Sequence, residues 1–254
     1  MRIVHTGCAG LRLELDGGAV IAIDPAEDPG PLDAILLTWN EAERLQGALE
    51  AVLAERCPRV VARPEILDWI ARKGALDAAD LAGEHAGVLV EAETYEPVPY
   101  ATPAEAMRKT RSAVTDPLRA AGRLITRARL PSAPPVVLRL TLPDGRHLVH
   151  LNCALHRDTP RAWLDDVAAR WGGADWVLAS WDYDEDEAFR EQIGAFRAQR
   201  VLITDLVNQV RGKLGLPQVS RTLTADRLAD KGVPVLMLAA QTSLRFDRAL
   251  YRGT

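Results

Sequence analysis

Three clusters in this 254-residue chain carry side chains able to do chemistry. His150, Cys153 and His156 form an H-x2-C-x2-H run, and both imidazole and thiolate bind zinc. Zinc takes four ligands, however, and no matching second cluster exists. On a strand leading into a loop, this spacing does not aim all three side chains at one ion, so no metal is expected there. The run Asp182-Tyr183-Asp184-Glu185-Asp186-Glu187 has the acid density of a calcium loop. It lacks glycine at the sixth loop position, and Ile193 stands at the twelfth, where a bidentate Glu belongs. Those acids suit the positive end of a helix over 185–198. The third cluster is basic. Residues 107–129 hold seven cations (Arg108, Lys109, Arg111, Arg119, Arg123, Arg127, Arg129) against Asp116, a local charge of +6 in a chain of net −4.

A basic amphipathic helix can touch phosphates or lie on an anionic surface, and Arg119, Arg123 and Arg127 are the candidates for such contact. The same segment also reads as a lid over a pocket, or as a helical hairpin docked on the body with its arginines solvated or paired. Residues 107–129 contain no aromatic side chain on which a base could stack, which disfavours single-strand binding. The sequence has no G-x-S-x-G elbow, P-loop or G-x-G-x-x-G turn, so nucleophilic serine and nucleotide chemistry have no anchor.

The elements that position these residues follow from periodicity. Residues 1–6 and 11–15 are short β-branched or alternating runs, and Asp16-Gly17-Gly18 is a hairpin turn. Residues 19–24 (AVIAID) and 33–39 (DAILLTW) are strands buried on both faces, with a Pro/Gly loop from Pro25 to Pro31 between them. Helical spacing of Leu45, Leu49, Val52 and Leu53 predicts a helix over 41–55. A strand at 60–62 and a helix at 64–74, opened by Pro64 and closed by Gly74, come next. Residues 87–98 read as one or two strands. Thr102-Pro103-Ala104-Glu105 is a capping box that opens the basic helical segment 102–130, kinked or divided at Asp116-Pro117. A second hairpin turns at Pro143-Asp144-Gly145. Helices at 161–171, 185–198, 206–213 and 223–231 then alternate with strands at 175–181, 200–204 and 233–239.

Composition sets the outer bounds. With 48% hydrophobic and 26% charged residues the chain is an ordinary globular one. No apolar run approaches the ~20 residues that span a bilayer. Three cysteines without paired spacing, and no secretory signal at MRIVHTG, lead us to expect a reduced, cytoplasmic protein.

The order of these motifs resembles the metallo-β-lactamase superfamily, in particular its ascorbate-6-phosphate-lactonase-like branch. HTGCAGLRLELDGGAVIAIDP is similar to that branch's opening strands, DAILLTWNEAERLQG to the strand entering its T-H-x-H-x-D-H metal loop, and GRHLVHLNCALHRD to the strand ending in a metal-bridging Asp. RVLITDLVN is similar to a late strand ending in a ligand histidine. The resemblance implies an α/β fold, an αββα sandwich formed as one domain over 1–254 with 102–130 inserted. In the family, imidazoles and a carboxylate at strand ends hold two zinc ions that activate water. Carried onto this chain, the ligand positions fall on Trp39, Glu41, Glu43, Arg44, Cys153 and Asp205, and the histidine of the opening turn falls on Cys8. The middle histidine has no counterpart in 96–102. Only Asp24 is retained.

Tryptophan does not ligate zinc, and arginine carries a fixed positive charge. The resemblance therefore implies a vestigial pocket of Cys8, Asp24, Trp39, Glu41, Glu43, Arg44, Cys153 and Asp205, with Arg44 paired to one of the acids, Trp39 filling the space and no metal or other cofactor. Cys8 and Cys153 are expected as buried thiols, with a redox pair as the other reading. The expected function is a non-catalytic binding or partner protein, pairing with an active paralogue or recognising a small anionic ligand beside Arg44, and no catalytic residue is assigned. One alternative is a hydrolase of an ester, lactone or phosphoester with Mn²⁺ or Zn²⁺ held by Asp24, Glu41, Glu43, Asp205 and Cys153. A second is nucleic-acid or anionic-surface binding through the basic helix.

Overall fold

The computed structural model describes residues 1–7, 10–26, 29–39, 42–55, 59–75, 77–95, 130–131, 133–151, 159–179, 193–204, 235–237 and 243–245. Its first sheet contains β1 (Arg2–Gly7), β2 (Gly10–Glu14), β3 (Val20–Ile23), β4 (Ala34–Leu36), β5 (Arg59–Val61), β6 (Asp77–Ala79) and β14 (Ser243–Arg245), in the order β14-β1-β2-β3-β4-β5-β6. The second contains β7 (Gly83–His85), β8 (Val88–Thr94), β9 (Val136–Thr141), β10 (His147–His150), β11 (Trp176–Ala179), β12 (Arg200–Ile203) and β13 (Val235–Met237), in the order β13-β12-β11-β10-β9-β8-β7.

Each sheet is half antiparallel and half parallel. Strands β14, β1, β2 and β3 alternate in direction, whereas β3 to β6 run parallel. In the second sheet β7 to β10 alternate, and β10 to β13 run parallel. Two hydrogen bonds fix how the sheets face each other. The Val136 amide, opening β9, donates to the Thr38 carbonyl just beyond β4 at 2.9 Å. Arg63, just beyond β5, donates to the Thr94 hydroxyl that ends β8 at 3.1 Å. The parallel strands of both sheets therefore finish at the same end of the molecule, its mouth.

Three apolar clusters make four layers. Between the sheets lie Ile3, Leu11, Leu13, Ile21, Ile23 and Leu36 from one side and Val90, Leu138, Leu148, Leu178 and Leu202 from the other. Helix α1 (Ala42–Leu53) and helix α2 (Pro64–Ala71) cover the outer face of the first sheet through Leu45, Ala48, Val52, Ile66 and Ile70. Helix α3 (Arg161–Trp171) covers that of the second through Leu164, Val167 and Trp171. Strands buried on both faces, such as β4 and β11, carry no polar residue.

Both predicted hairpins are present. Leu15 and Ala19 close the first, with Gly18 at φ +90°, and Leu142 and Arg146 close the second around Gly145 at φ +84°. The strand expected over 33–39 stops at Leu36; Leu37 still donates to the Val61 carbonyl of β5, and from Thr38 the backbone bonds go to Asp24 and Val136 instead of the sheet. Within the described part of the extended stretch expected at 87–98, residues 87–95, lies one strand, β8, which pairs with an unpredicted β7. Helix α2 ends at Ala71, short of Gly74, with Arg72 as its C-cap. The helices expected at 206–213 and 223–231, and the segment 102–130 apart from Leu130, lie outside the described residues.

Candidate functional site

The inner faces of the strands are apolar along their length and turn polar at the mouth. Ile3 and Leu148 face the core between the sheets, and the next inward positions on β1 and β10 are His5 and His150. Leu36 and Leu202 face the same core, and their inward series continue into Thr38 and Thr204. All four polar side chains are buried. Groups at this depth are withdrawn from bulk water, so their hydrogen bonds are made to protein groups or to enclosed water.

Asp24 sits in the middle of this layer. It follows β3, and its backbone adopts φ +46°, a left-handed conformation that aspartate tolerates better than most side chains. The Asp24 amide donates to the Leu36 carbonyl at 2.9 Å, which holds the turn against β4. Gly10, at the start of β2, makes room for it. A Cβ there would stand 2.6 Å from the Asp24 carbonyl oxygen and 2.9 Å from that of Gly7.

The carboxylate accepts hydrogen bonds at both oxygens. Oδ1 accepts the Thr38 amide at 2.8 Å. Oδ2 accepts the Thr38 hydroxyl and the Arg44 Nη1 proton, the latter at 2.8 Å. Arg44 Nη1 also donates to Thr38 Oγ1 at 3.0 Å. Arg44 comes from the first turn of α1, so the knot joins the end of β3, the end of β4 and the start of the helix. Both charged side chains are 0% exposed. The Arg44 guanidinium carbon also lies 5.6 Å from the ring centre of the half-buried Trp39, within cation–π range.

The sequence-derived pocket is thus described at three positions, Asp24, Trp39 and Arg44, and these lie together. Cys8, Glu41, Cys153 and Asp205 lie outside the described residues, as does the side chain of Glu43. So do Arg119, Arg123 and Arg127, and Cys153 and His156 of the H-x2-C-x2-H run. The stretch holding the three arginines begins beyond Tyr95, which packs on Trp163 at 5.7 Å, and returns at Leu130, which packs beside α1 and α2. Thr38, His5 and Thr204 were not singled out from the sequence. The signal available was a polar residue directly after each buried apolar run, in RIVHT, AILLT and VLIT.

The resemblance drawn from the sequence implies a cation at this mouth, and the described donors do not fit one. Trp39 has no lone pair to offer, and the guanidinium bonded to Asp24 is a permanent cation that would repel a metal. Among the described residues, no group of three or more His, Cys, Asp or Glu side chains is placed to hold a metal ion. No helix among them is long and apolar enough to cross a membrane.

Paired mixed sheets, helices on both outer faces and a polar mouth at the parallel strand ends define the αββα sandwich of the metallo-β-lactamase fold. A crystal structure from Parabacteroides distasonis, of a protein named a "putative metal-dependent hydrolase", has this architecture. It matches over 93% of this chain and 91% of its own, at 14% identity and a TM-score of 0.54. A Cronobacter sakazakii metallo-β-lactamase with a HARLDQ motif aligns over 91% of this chain and 92% of its own, at 14% identity and a TM-score of 0.40. No family model and no curated protein matches the chain in sequence.

Proposed function

We propose that this metallo-β-lactamase-fold chain works as a non-catalytic binding or partner protein. The observation that carries the reading is the Asp24 carboxylate, the acid retained from the family's set, which is buried and bonded at both oxygens to Thr38 and Arg44. A carboxylate so engaged is not available to hold a metal or move a proton to substrate. The Arg44 guanidinium is buried beside it and bonded through Nη1 to Asp24 and Thr38, which favours a protein partner over a small anionic ligand at that guanidinium.

The test is made on the full chain purified without metal affinity. Elemental analysis should find no stoichiometric transition metal, and calorimetric titration with Mn²⁺ or Zn²⁺ should show no binding tighter than about millimolar. Model esters, lactones and phosphodiesters should not be turned over above the rate of a heat-denatured control. Tight metal binding together with metal-dependent turnover would replace this reading with that of a hydrolase using an altered site. Co-purification of the tagged chain from its own cells, with the captured protein identified and the complex rebuilt from pure components, would name the partner.

A further inference from the structure

The charge balance at the mouth supports a more specific statement about Arg44, one that deepens the functional reading. Three chain segments converge there: the turn after β3, the turn after β4 and the first turn of α1. A bound metal ion can hold such segments together, because its ligands come from separate strands and its charge offsets their carboxylates. In this chain one guanidinium does both. Arg44 Nη1 lies 2.8 Å from Asp24 Oδ2 and 3.0 Å from Thr38 Oγ1, and carboxylate and guanidinium are equally buried. Thr38 extends the link to the second sheet, since its carbonyl accepts the Val136 amide at 2.9 Å.

We infer that Arg44 is the resident cation of this sandwich, a covalently attached counter-charge of Asp24 and the tie between α1 and the strand ends. The folded mouth is then independent of metal. Its stability depends on the pair as a unit, because removing one partner leaves the other charged and buried, whereas removing both leaves neither.

The test is a double-mutant cycle read by thermal melting of the full chain, with Arg44→Ala, Asp24→Asn and the combined variant. Wild type should melt at the same temperature with EDTA or with added MnCl2. Arg44→Ala should lower the melting temperature by roughly 6–20 °C. The combined variant should melt above Arg44→Ala, and if Arg44→Ala does not fold, the combined variant should. Ethylguanidinium at about 10 mM should raise the melting temperature of Arg44→Ala, or restore its folding, while leaving wild type and the combined variant unmoved. A purely space-filling arginine would not give that last result.

The inference is overturned by an EDTA-sensitive wild type, by an Arg44→Ala variant as stable as wild type, by additive losses in the cycle, or by absence of rescue. Hydrolysis by the wild-type chain would end the functional reading yet leave this cycle standing. Additive losses would end the inference about Arg44 and leave the functional reading untouched.

Discussion

Replacing Thr38 by valine tests whether the knot at the mouth is held by hydrogen bonds or merely by packing. Valine matches threonine in shape and keeps the backbone amide that reaches Asp24 Oδ1 at 2.8 Å. It removes the hydroxyl that donates to Asp24 Oδ2 and accepts from Arg44 Nη1 at 3.0 Å. Both lost bonds involve a charged group away from water, where each is worth about 1.5–3 kcal/mol. The direct contact of Arg44 with Asp24 at 2.8 Å survives, so neither charge is orphaned and the loss falls short of the full sum. We expect Thr38→Val to cost about 2–4 kcal/mol, or roughly 4–16 °C in melting temperature for a chain of this size. Thr38→Ser keeps the hydroxyl and removes one methyl group, which costs about 1 kcal/mol. Chemical denaturation of the two variants side by side gives the comparison. Equal losses, or a Thr38→Val variant indistinguishable from wild type, would show that the hydroxyl contributes nothing and that the reasoning about this site is wrong.

Two further predictions reach beyond the knot. Gly10→Ala places a Cβ 2.5 Å from Thr6 Oγ1 and 2.6 Å from the Asp24 carbonyl, so backbone must move, and we expect a stability loss of about 1–3 kcal/mol, read as a lowered denaturant midpoint; an unchanged midpoint would contradict the close approach. His147 predicts a pH effect. Arg139 Nη2 donates to its Nε2 at 3.1 Å, which places the ring proton on Nδ1, 3.2 Å from Thr141 Oγ1. Burial and the neighbouring Arg139 charge lower its pKa from 6.5, against the opposing pull of Asp175 and Glu91. The folded state then binds fewer protons than the unfolded one, so this contribution is present above pH 6.5 and is lost as pH falls through the lowered folded value. His147→Gln should flatten the stability-versus-pH curve as pH falls below 6.5, and parallel curves for the two proteins would refute the assignment.

The sequence made the frame legible where local pattern and tertiary role agree. The runs VIAI, AIL and WVLA have no polar residue because both their faces are covered, and the helical spacing of α1 survives because one face packs on the first sheet. The strands that escaped notice lack such patterns. Asp77–Ala79 and Gly83–His85 are three-residue strands at the ends of their sheets, half polar and largely held by one neighbour, and Ser243–Arg245 joins β1 across more than 230 residues of chain. At the site, unlike charges made it legible that Arg44 would seek an acid. The choice of Asp24 was not, because that pairing spans 20 residues and depends on how α1 enters over the strand ends. Thr38 was hidden for a different reason. A single threonine after an apolar run carries no chemical signature until its neighbours are in place.

The geometry at Asp24 separates what holds the backbone at the mouth from what neutralises the charge there. Its left-handed backbone would be costly for most residues, typically about 1–3 kcal/mol. Here the turn is held by three features that need no metal: the Asp24 amide on the Leu36 carbonyl, the side-chain bonds to Thr38, and the space left by Gly10. All three are set by the relation of β2, β3 and β4 within one sheet. The charge of the carboxylate is the part that the sheet cannot settle, and it is met from α1. Backbone shape and counter-charge therefore come from different segments. The residue that supplies the charge can be exchanged without disturbing the strands, provided that a cation of some kind remains within reach of Asp24.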